Sequence, residues 1–335
     1  MKKNILVVLC MIFIAGCGAV PESHIHARVE TIMGTFVQIK VVDKDLSTEE
    51  LSKVVDGIIE EAKALEAKLS IYDAASEINV LNIAKDKVVS SDLWDVLVKA
   101  KKIGVTTYGA FDITVAPIMK ANGFYVDMPK DIFDKITVDP KSVGWHNVEL
   151  IGEDKRAKLF NNAWLDLSGL AKGYIVDKLS EALEKQGVDH FLVNAGGDIY
   201  CGTTGGEYPW KIGVRRPGQE GVVMVLELTN MAVATSGDYE NIITDAKTGE
   251  VVSHIINPKT DKPVEEKPSS MTVIAATCAE ADGLATGMMV MGREKALELA
   301  DLTEGVEIVA VELSNGKEKV EYSKGAVKYI VRRTP

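Results

Sequence analysis

The stretch Val-Val-Met-Val-Leu-Glu-Leu-Thr-Asn-Met-Ala-Val-Ala-Thr, residues 222–235, decides the fold class of this chain. It contains two short runs typical of β-strands, at residues 222–228 and 232–235, with a brief turn between them. Consecutive strands with short connections predict β-meanders and disfavour strictly alternating βαβ units. We therefore expect an α+β fold with mixed or antiparallel sheets and packed helices.

The same patterns extend in both directions from this stretch. Further strands are predicted at residues 29–42, 191–194, 210–214, 251–256, 271–276 and, in two or three pieces, 306–331. Helices are predicted at residues 48–69 (without a full capping box), 92–107, 111–122, 168–186, 278–291 and 293–302. No Pro- or Ser-rich linker interrupts residues 28–335, so we expect one compact domain there, with room for two lobes.

The N-terminus has the pattern of an export signal. Lys2 and Lys3 precede an apolar run at residues 5–15, which is shorter than the roughly 18–20 residues of a spanning helix. The run ends in Ile-Ala-Gly-Cys, residues 14–17, which resembles a bacterial lipobox. We expect a signal peptide at residues 1–16, a lipid on Cys17, a tether at 17–27 and a domain at 28–335. The alternative is an ordinary secretory signal with an incidental Cys17.

This interpretation predicts a protein anchored by lipid on the extracytoplasmic side of the cell membrane. Cleavage before Cys17 would remove two lysines and change the net charge of the 335-residue chain from −11 to −13. An acidic chain disfavours nonspecific binding to nucleic acid. Four cysteines exclude a disulfide-dense scaffold. For Cys201 and Cys278 we expect two buried thiols, although the sequence leaves their pairing open.

Two helix starts carry residues suited to a phosphate and a metal. Asp166 ends a predicted apolar strand, and residues 166–173, Asp-Leu-Ser-Gly-Leu-Ala-Lys-Gly, then open one helix. A helix N-terminus with Lys172 nearby attracts phosphate or carboxylate. Residues 277–287 open another, in which Asp282 and Thr286 are four residues apart and share one face. A carboxylate and a hydroxyl suit Mg²⁺. A simple capped helix and a polar helix face remain the alternatives.

Two further motifs follow predicted strands. Gly196 and Gly197 in Asn-Ala-Gly-Gly-Asp, residues 194–198, let main-chain N–H groups approach a ligand closely, or simply form a tight turn. His254 stands at a strand end, where a lone histidine is more often a packed or surface residue than a base. The fingerprints of dinucleotide-binding Rossmann folds, P-loops, zinc sites and serine-hydrolase elbows are absent from the sequence.

Taken in order, these motifs resemble one family, the FAD:protein FMN transferases of the ApbE type. The resemblance covers about residues 29–292 and rests on these segments: Met33-Gly34-Thr35, Ser70-Ile71-Tyr72, Ser76-Glu77-Ile78, Leu81-Asn82, Gly109-Ala110-Phe111-Asp112, residues 166–173, residues 194–198, Ser236-Gly237-Asp238-Tyr239, residues 254–258, and Ala281-Asp282 with Thr286. It implies a single ApbE-like, T-fold-like domain.

The resemblance also implies an activity and a set of site residues. FAD is split at its pyrophosphate, its FMN moiety is joined through a phosphoester to a Thr or Ser of a target flavoprotein, and AMP leaves. Typical targets are membrane subunits of electron-transport complexes. Mg²⁺ would be held by Asp282, Thr286 and the main-chain oxygen of Gly169. FAD would contact Met33, Tyr72, Ala110, Phe111, Asp112, Asp166, Lys172 and His254.

The residue chemistry agrees with this reaction. Cleavage of a pyrophosphate needs positive charge at the phosphate oxygens, which a metal and a helix N-terminus supply. We expect the two helix starts to face each other across the diphosphate, with Asp282 at the catalytic centre. We hypothesise that His254 or Asp238 deprotonates the acceptor hydroxyl. Two alternatives remain: an FAD pyrophosphatase that forms free FMN and AMP, and a lipid-anchored flavin-binding protein that needs no metal.

Overall fold

The fold is that of a computed structural model, which describes residues 24–43, 46–203, 209–238, 242–244, 251–264, 268–314 and 317–333. The expected signal peptide, Cys17 and the tether up to residue 23 lie outside the described residues, as does Tyr239. The first strand begins at His24, so the last four residues of the expected tether belong to it.

The described residues form helices and strands in alternating groups. The α-helices are α1 (Thr48–Leu69), α2 (Glu77–Ala84), α3 (Ser91–Thr106), α4 (Ala116–Ala121), α5 (Lys130–Phe133), α6 (Ala171–Lys185), α7 (Cys278–Met291) and α8 (Arg293–Leu302). Short 3₁₀ turns occupy Pro140–Ser142, Trp145–Asn147 and Lys324–Tyr329. The strands are β1 (His24–Ile32), β2 (Thr35–Asp43), β3 (Asp86–Val88), β4 (Val148–Ile151), β5 (Arg156–Leu159), β6 (His190–Ala195), β7 (Asp198–Thr203), β8 (Trp210–Arg215), β9 (Val222–Leu228), β10 (Met231–Gly237), β11 (Ile242–Thr244), β12 (Val251–Ser253), β13 (Ile256–Asn257), β14 (Lys262–Pro263), β15 (Ser270–Ala275), β16 (Glu307–Ser314), β17 (Lys317–Tyr322) and β18 (Ile330–Arg333).

One antiparallel sheet of eight strands organises the molecule, in the order β1-β2-β6-β7-β10-β15-β16-β17. Its register brings several turns to one end. Ala195, the last residue of β6, lies opposite both Val37 of β2 and Asp198 of β7. Because Val233 of β10 lies opposite Ile199, Ser236 extends past the start of β7 at this same end. The sheet end that carries these turns also carries the candidate site.

The alternation of side chains along each strand divides the core into two parts. Phe191 and Val193 of β6 pack with the helices α1, α3, α6, α7 and α8 on one face of the sheet. Leu192, between them, packs on the other face with β8 and β9. A strand with both faces buried explains why β6 is apolar at three consecutive positions. The fold is thus a single compact α+β domain of antiparallel sheets and packed helices, as the sequence predicts.

The stretch that suggests the fold class does not form a hairpin. β9 pairs with β8 and β18 in a three-stranded sheet, whereas β10 pairs with β7 and β15 in the main sheet. The two strands face each other across the second core, where Leu226 packs in the same cluster as Val233. The prediction of antiparallel strands is confirmed, but the expected meander at residues 222–235 is wrong. Strand pairing depends on contacts that a local pattern does not contain.

Three helix predictions need correction. The helix expected at 111–122 is limited to α4, because Asp112 accepts a hydrogen bond from the Thr114 main-chain N–H (2.8 Å) and shapes a turn before Pro117. The helix expected at 168–186 begins only at Ala171. α1 does have a full capping box, since its N-cap is Ser47 and Glu50 is therefore the reciprocal N3 partner.

Cys201 and Cys278 are both free and buried, which confirms the expectation of two buried thiols. Among the helices of the described residues, none combines the length and the apolar character that a membrane-crossing segment requires.

Candidate active site

A pocket opens at the end of the main sheet described above, between the sheet, α7 and the segments before α4 and α6. It brings together most of the residues that the sequence predicts for the site: Ala110, Phe111, Asp112, Asp166, Gly169, Lys172, His254, Asp282 and Thr286. Val115, Met119, Ser168, Gly196, Asp198, Thr235, Ser236, Ile255, Ile256 and Pro258 complete its lining.

Three predicted residues do not line this pocket. Met33 lies at the β1–β2 turn with φ of +53°, and its main-chain N–H donates to Glu66 Oε1 at 2.7 Å. Asp238 follows β10, and its main-chain N–H donates to the Ser269 carbonyl at 3.0 Å. Tyr72 is 48% exposed and contacts the edge of Tyr125 at a centroid distance of 6.2 Å. Tyr72 is connected to the lining through Tyr125, which donates a hydrogen bond to Asp166.

Asp166 is held by donors from this chain on both carboxylate oxygens. The Tyr125 hydroxyl donates to Oδ2 at 2.6 Å, and the Ser168 main-chain N–H and hydroxyl donate to Oδ1 at 2.8 and 2.6 Å. The hydrogen bonds from Ser168 to Asp166 form a turn, which explains why α6 starts later than the sequence predicts. Burial, followed by the neighbouring Asp166, raises the pKa of the Tyr125 hydroxyl well above its usual range, so this hydroxyl remains a donor.

The segment before Asp166 is not a strand, contrary to the expectation from its apolar sequence. It is held by the buried side chain of Asn82, which donates to the Leu165 carbonyl (2.9 Å) and accepts from the Leu165 N–H (2.7 Å). The Asp166 N–H donates to the Ile113 carbonyl at 2.7 Å. The side-chain amide of Asn82 thus makes the main-chain hydrogen bonds that a neighbouring strand would otherwise make, and it orients Asp166 towards the pocket.

Lys172 lies between two carboxylates of the pocket lining. Its ammonium is 3.1 Å from Asp198 Oδ2 and 3.5 Å from Asp282 Oδ2. Burial alone would lower the pKa of Lys172, but the two carboxylates outweigh burial and the pKa is raised. Asp282 Oδ2 also accepts the main-chain N–H of Gly173 at 3.1 Å. The pocket lining therefore carries one fixed positive charge, that of Lys172, and four aspartates: Asp112, Asp166, Asp198 and Asp282.

The start of α7 is not available for a diphosphate, so the expectation of two facing helix starts is wrong. Asp177, on α6, accepts the main-chain N–H groups of Cys278 (2.6 Å) and Ala279 (3.0 Å), and the Thr277 hydroxyl caps Glu280 (3.4 Å). Burial raises the pKa of Asp177 to about 6. α7 thus presents one side, with Asp282 and Thr286 on successive turns, to the pocket.

The oxygen atoms around Thr286 are the candidate ligands for a cation. Ser236 Oγ lies 3.4 Å from Thr286 Oγ1. A methyl group on Gly169 would come within 3.6 Å of Thr286 Oγ1, so the main chain at Gly169 lies beside it. With Asp282 these are hard oxygens, and they fit a Mg²⁺ ion that keeps several waters and takes further ligands from a substrate phosphate. The described residues contain no cluster of three or more His, Cys, Asp or Glu arranged to bind a metal.

Four residues at the site, Asp198, Ser236, Thr235 and Tyr125, are not among those that the sequence predicts for it. Asp198 ends the Gly-Gly motif and Ser236 begins another motif, so both had a sequence signal. Tyr125 had none, because it lies 41 residues before Asp166 and only folding brings the two together.

The pocket thus joins a fixed ammonium group, the turn before α6 and hard oxygen donors on one side of a helix. Such groups suit a phosphate-bearing ligand, and hard oxygens suit a hard cation.

Comparison with known proteins identifies the family. The model of the ApbE family matches residues 33–310. The FAD:protein FMN transferase of Vibrio cholerae serotype O1 is 30% identical over 338 residues, which cover 97% of this chain and 98% of that protein. The FAD:protein FMN transferase of Haemophilus influenzae is 30% identical over 333 residues, covering 94% and 95%. The crystal structure of the ApbE protein of Thermotoga maritima superposes with a TM-score of 0.79 at 27% identity, covering 92% of this chain and all of that one. This chain belongs to the ApbE family.

Proposed function

We propose that this protein is an FAD:protein FMN transferase that requires Mg²⁺. The observation that carries the proposal is the pocket in which Lys172, Asp282 and Thr286 meet, in a chain whose relatives are named for this activity. The acceptor is a Thr or Ser hydroxyl of a target flavoprotein, and we infer membrane subunits of electron-transport complexes as targets.

In the proposed reaction the acceptor oxygen attacks the phosphorus of the FMN half of FAD. A phosphoester bond forms, the pyrophosphate P–O bond breaks, and AMP leaves with the bridging oxygen. The hydroxyl proton passes to a base on the protein. His254 is better placed for this role than Asp238, because His254 lines the pocket and Asp238 does not. Such a base contributes about 10²–10⁴-fold to the rate.

Lys172 supplies the permanent positive charge for the diphosphate. Its pKa is raised, so the ammonium keeps its proton over the physiological pH range. Asp282, Thr286 and the Gly169 carbonyl would hold Mg²⁺. When bound, the ion neutralises charge that develops on the phosphate oxygens. Ala110, Phe111 and Tyr72 offer apolar and aromatic surface for the flavin and adenine rings.

The test is incubation of the protein with FAD, Mg²⁺ and a protein that carries a candidate Thr. We expect flavin fluorescence on the acceptor in a denaturing gel, together with AMP in solution. Release of FMN and AMP without labelling would indicate a pyrophosphatase instead. Tight FAD binding with neither product would indicate a flavin-binding protein and would contradict the transferase. The His254→Ala variant should lose most of the transfer, and full activity would exclude His254 as the base.

We further propose that the protein is a lipoprotein. The basis is the sequence of residues 1–17, with cleavage before Cys17, a short tether and an enzyme domain from about residue 28. The lipid would hold the domain on the extracytoplasmic side of the cell membrane. Radiolabelled palmitate should be incorporated into the full chain and not into the Cys17→Ser variant, and equal labelling of both would contradict the assignment.

A further inference from the structure

Two positive groups compete for the Asp282 carboxylate in the pocket: the Lys172 ammonium and a divalent cation. Asp282 Oδ2 lies 3.5 Å from the Lys172 ammonium and accepts the Gly173 N–H at 3.1 Å. The proposed function requires the same carboxylate to coordinate a divalent cation. An ammonium group and a divalent cation repel each other, so a lysine paired closely with Asp282 would weaken cation binding.

Asp198 offers the lysine a second carboxylate. Its Oδ2 is 3.1 Å from Lys172 Nζ, which is closer than Asp282, and Asp198 is only 3% exposed. Because the Asp198 carboxylate is buried, water screens its attraction to the ammonium less than it screens an exposed pair. Asp198 is therefore the favoured partner of Lys172. It belongs to one of the segments that carry the family resemblance, residues 194–198, but not to the FAD and Mg²⁺ contacts that the resemblance implies.

The position of Asp198 is built into the sheet. It begins β7 directly after the turn at Gly196 and Gly197, which have φ of +64° and +108°. Only glycine adopts such backbone angles readily. Asp198 pairs with Ala195 at the turn of the β6–β7 hairpin, whose two strands are central in the order of the main sheet. The carboxylate is thus fixed by rigid structure, whereas the lysine side chain that it holds is long and flexible.

We propose that Asp198 is a positioning residue, which holds the Lys172 ammonium away from Asp282 so that Asp282 can take the divalent cation and Lys172 can take a phosphate. The proposal rests on the cation site of the proposed function. Removal of the Asp198 charge leaves Asp282 as the carboxylate partner of the lysine, and the lysine then competes with the cation.

The test is a titration of the whole protein with Mn²⁺, in which the EPR signal of free Mn²⁺ reports binding with and without FAD. The Asp282→Asn variant supplies the baseline for weak binding elsewhere on this acidic chain. We expect the Asp198→Asn variant to bind Mn²⁺ about tenfold more weakly than the wild type. The matched control is Asp189→Asn, which removes an exposed charge next to β6 at the other end of the same hairpin and should leave the affinity unchanged.

A double-mutant cycle separates positioning from simple attraction between Asp198 and the cation. If Asp198 acts through Lys172, the penalty of Asp198→Asn becomes smaller in the Lys172→Met background. A penalty as large or larger in that background would overturn the proposal, as would wild-type affinity in Asp198→Asn. If Asp198→Asn does not fold, as judged by near-ultraviolet circular dichroism, Asp198→Ser takes its place. Failure of the wild type to bind Mn²⁺ under either condition would instead contradict the cation site of the proposed function.

Discussion

Two buried carboxylates lie near the start of α7, one on α6 and one on α7 itself, and they differ in their hydrogen-bond and charge partners. Asp177 reaches the first turn of the helix from α6 and accepts two main-chain N–H groups, at 2.6 and 3.0 Å. Asp282 belongs to the second turn, faces the pocket and shares its Oδ2 between Lys172 and Gly173. Both are buried, at 7% and 4% exposure, so burial alone does not distinguish a structural carboxylate from a functional one. The partners distinguish them.

Main-chain partners hold a carboxylate in one place, whereas a lysine can be replaced by another cation. Asp177 therefore fixes the position of α7, and this position places Asp282 in the pocket lining. We therefore expect substitutions around Asp177 to lower stability and substitutions at Asp282 to lower activity.

The largest expected effect is on activity at Asp282. We expect Asp282→Asn to lower FMN transfer by about 10³-fold, because the charge that would hold the cation is lost. Its Tm should stay close to that of the wild type, since the α7 cap at Asp177 is intact. Initial rates of AMP release and a thermal melt check both points. Transfer at the wild-type rate would contradict the assignment of Asp282.

The next effect is a pH dependence of stability at Asp177. Burial raises its pKa from 3.8 to about 6, so the neutral form is favoured in the folded state. The stabilising contribution is complete below about pH 4 and is lost as the pH rises through 6. Between pH 4 and 7, the unfolding free energy of the wild type should therefore fall by about 2 kcal/mol relative to Asp177→Asn. Urea unfolding at four pH values measures this difference, and parallel curves for the two proteins would disprove it.

A matched pair of glycines tests the contact between α6 and α7. A methyl group on Gly173 would lie 2.4 Å from the Cys278 carbonyl oxygen, whereas Gly57 in α1 has open space around it. We expect Gly173→Ala to cost about 2 kcal/mol of stability through overpacking. Gly57→Ala should add up to about 1 kcal/mol, because alanine favours the helix. Equal changes in Tm for the two variants would contradict the close approach.

The smallest effect concerns Tyr125. Tyr125→Phe removes one of the donors to Asp166 and should cost about 1.5 kcal/mol of stability. The KM for FAD should rise, since Asp166 lines the pocket and loses part of its support. Steady-state kinetics with varied FAD provide the check. An unchanged KM together with unchanged stability would show that the hydrogen bond contributes nothing.

The sequence predicts the parts of this molecule that depend on local pattern. The apolar spacing predicts α1 and α7 with the bounds that the structure has, and the apolar run at residues 191–194 predicts the strand β6. The motif order predicts a pocket in which Asp166, Lys172 and Asp282 meet. Each of these inferences needs only residues near one another in the chain, or a family pattern.

Long-range contacts account for what the sequence does not predict. The partners of β9 and β10, the support of Asp166 by Tyr125 and the capping of α7 by Asp177 all join residues that are distant in sequence. Asp177 in particular looks like any polar position in an amphipathic helix. Its role becomes visible only when the start of α7 is placed against it, 101 residues later.

The most direct test of the account is a crystal structure of this protein with FAD and Mn²⁺, with the anomalous signal of the metal measured. We expect an anomalous peak within coordinating distance of the Asp282 carboxylate and Thr286 Oγ1, with a phosphate of FAD beside Lys172. A metal bound elsewhere, or FAD bound outside this pocket, would contradict it.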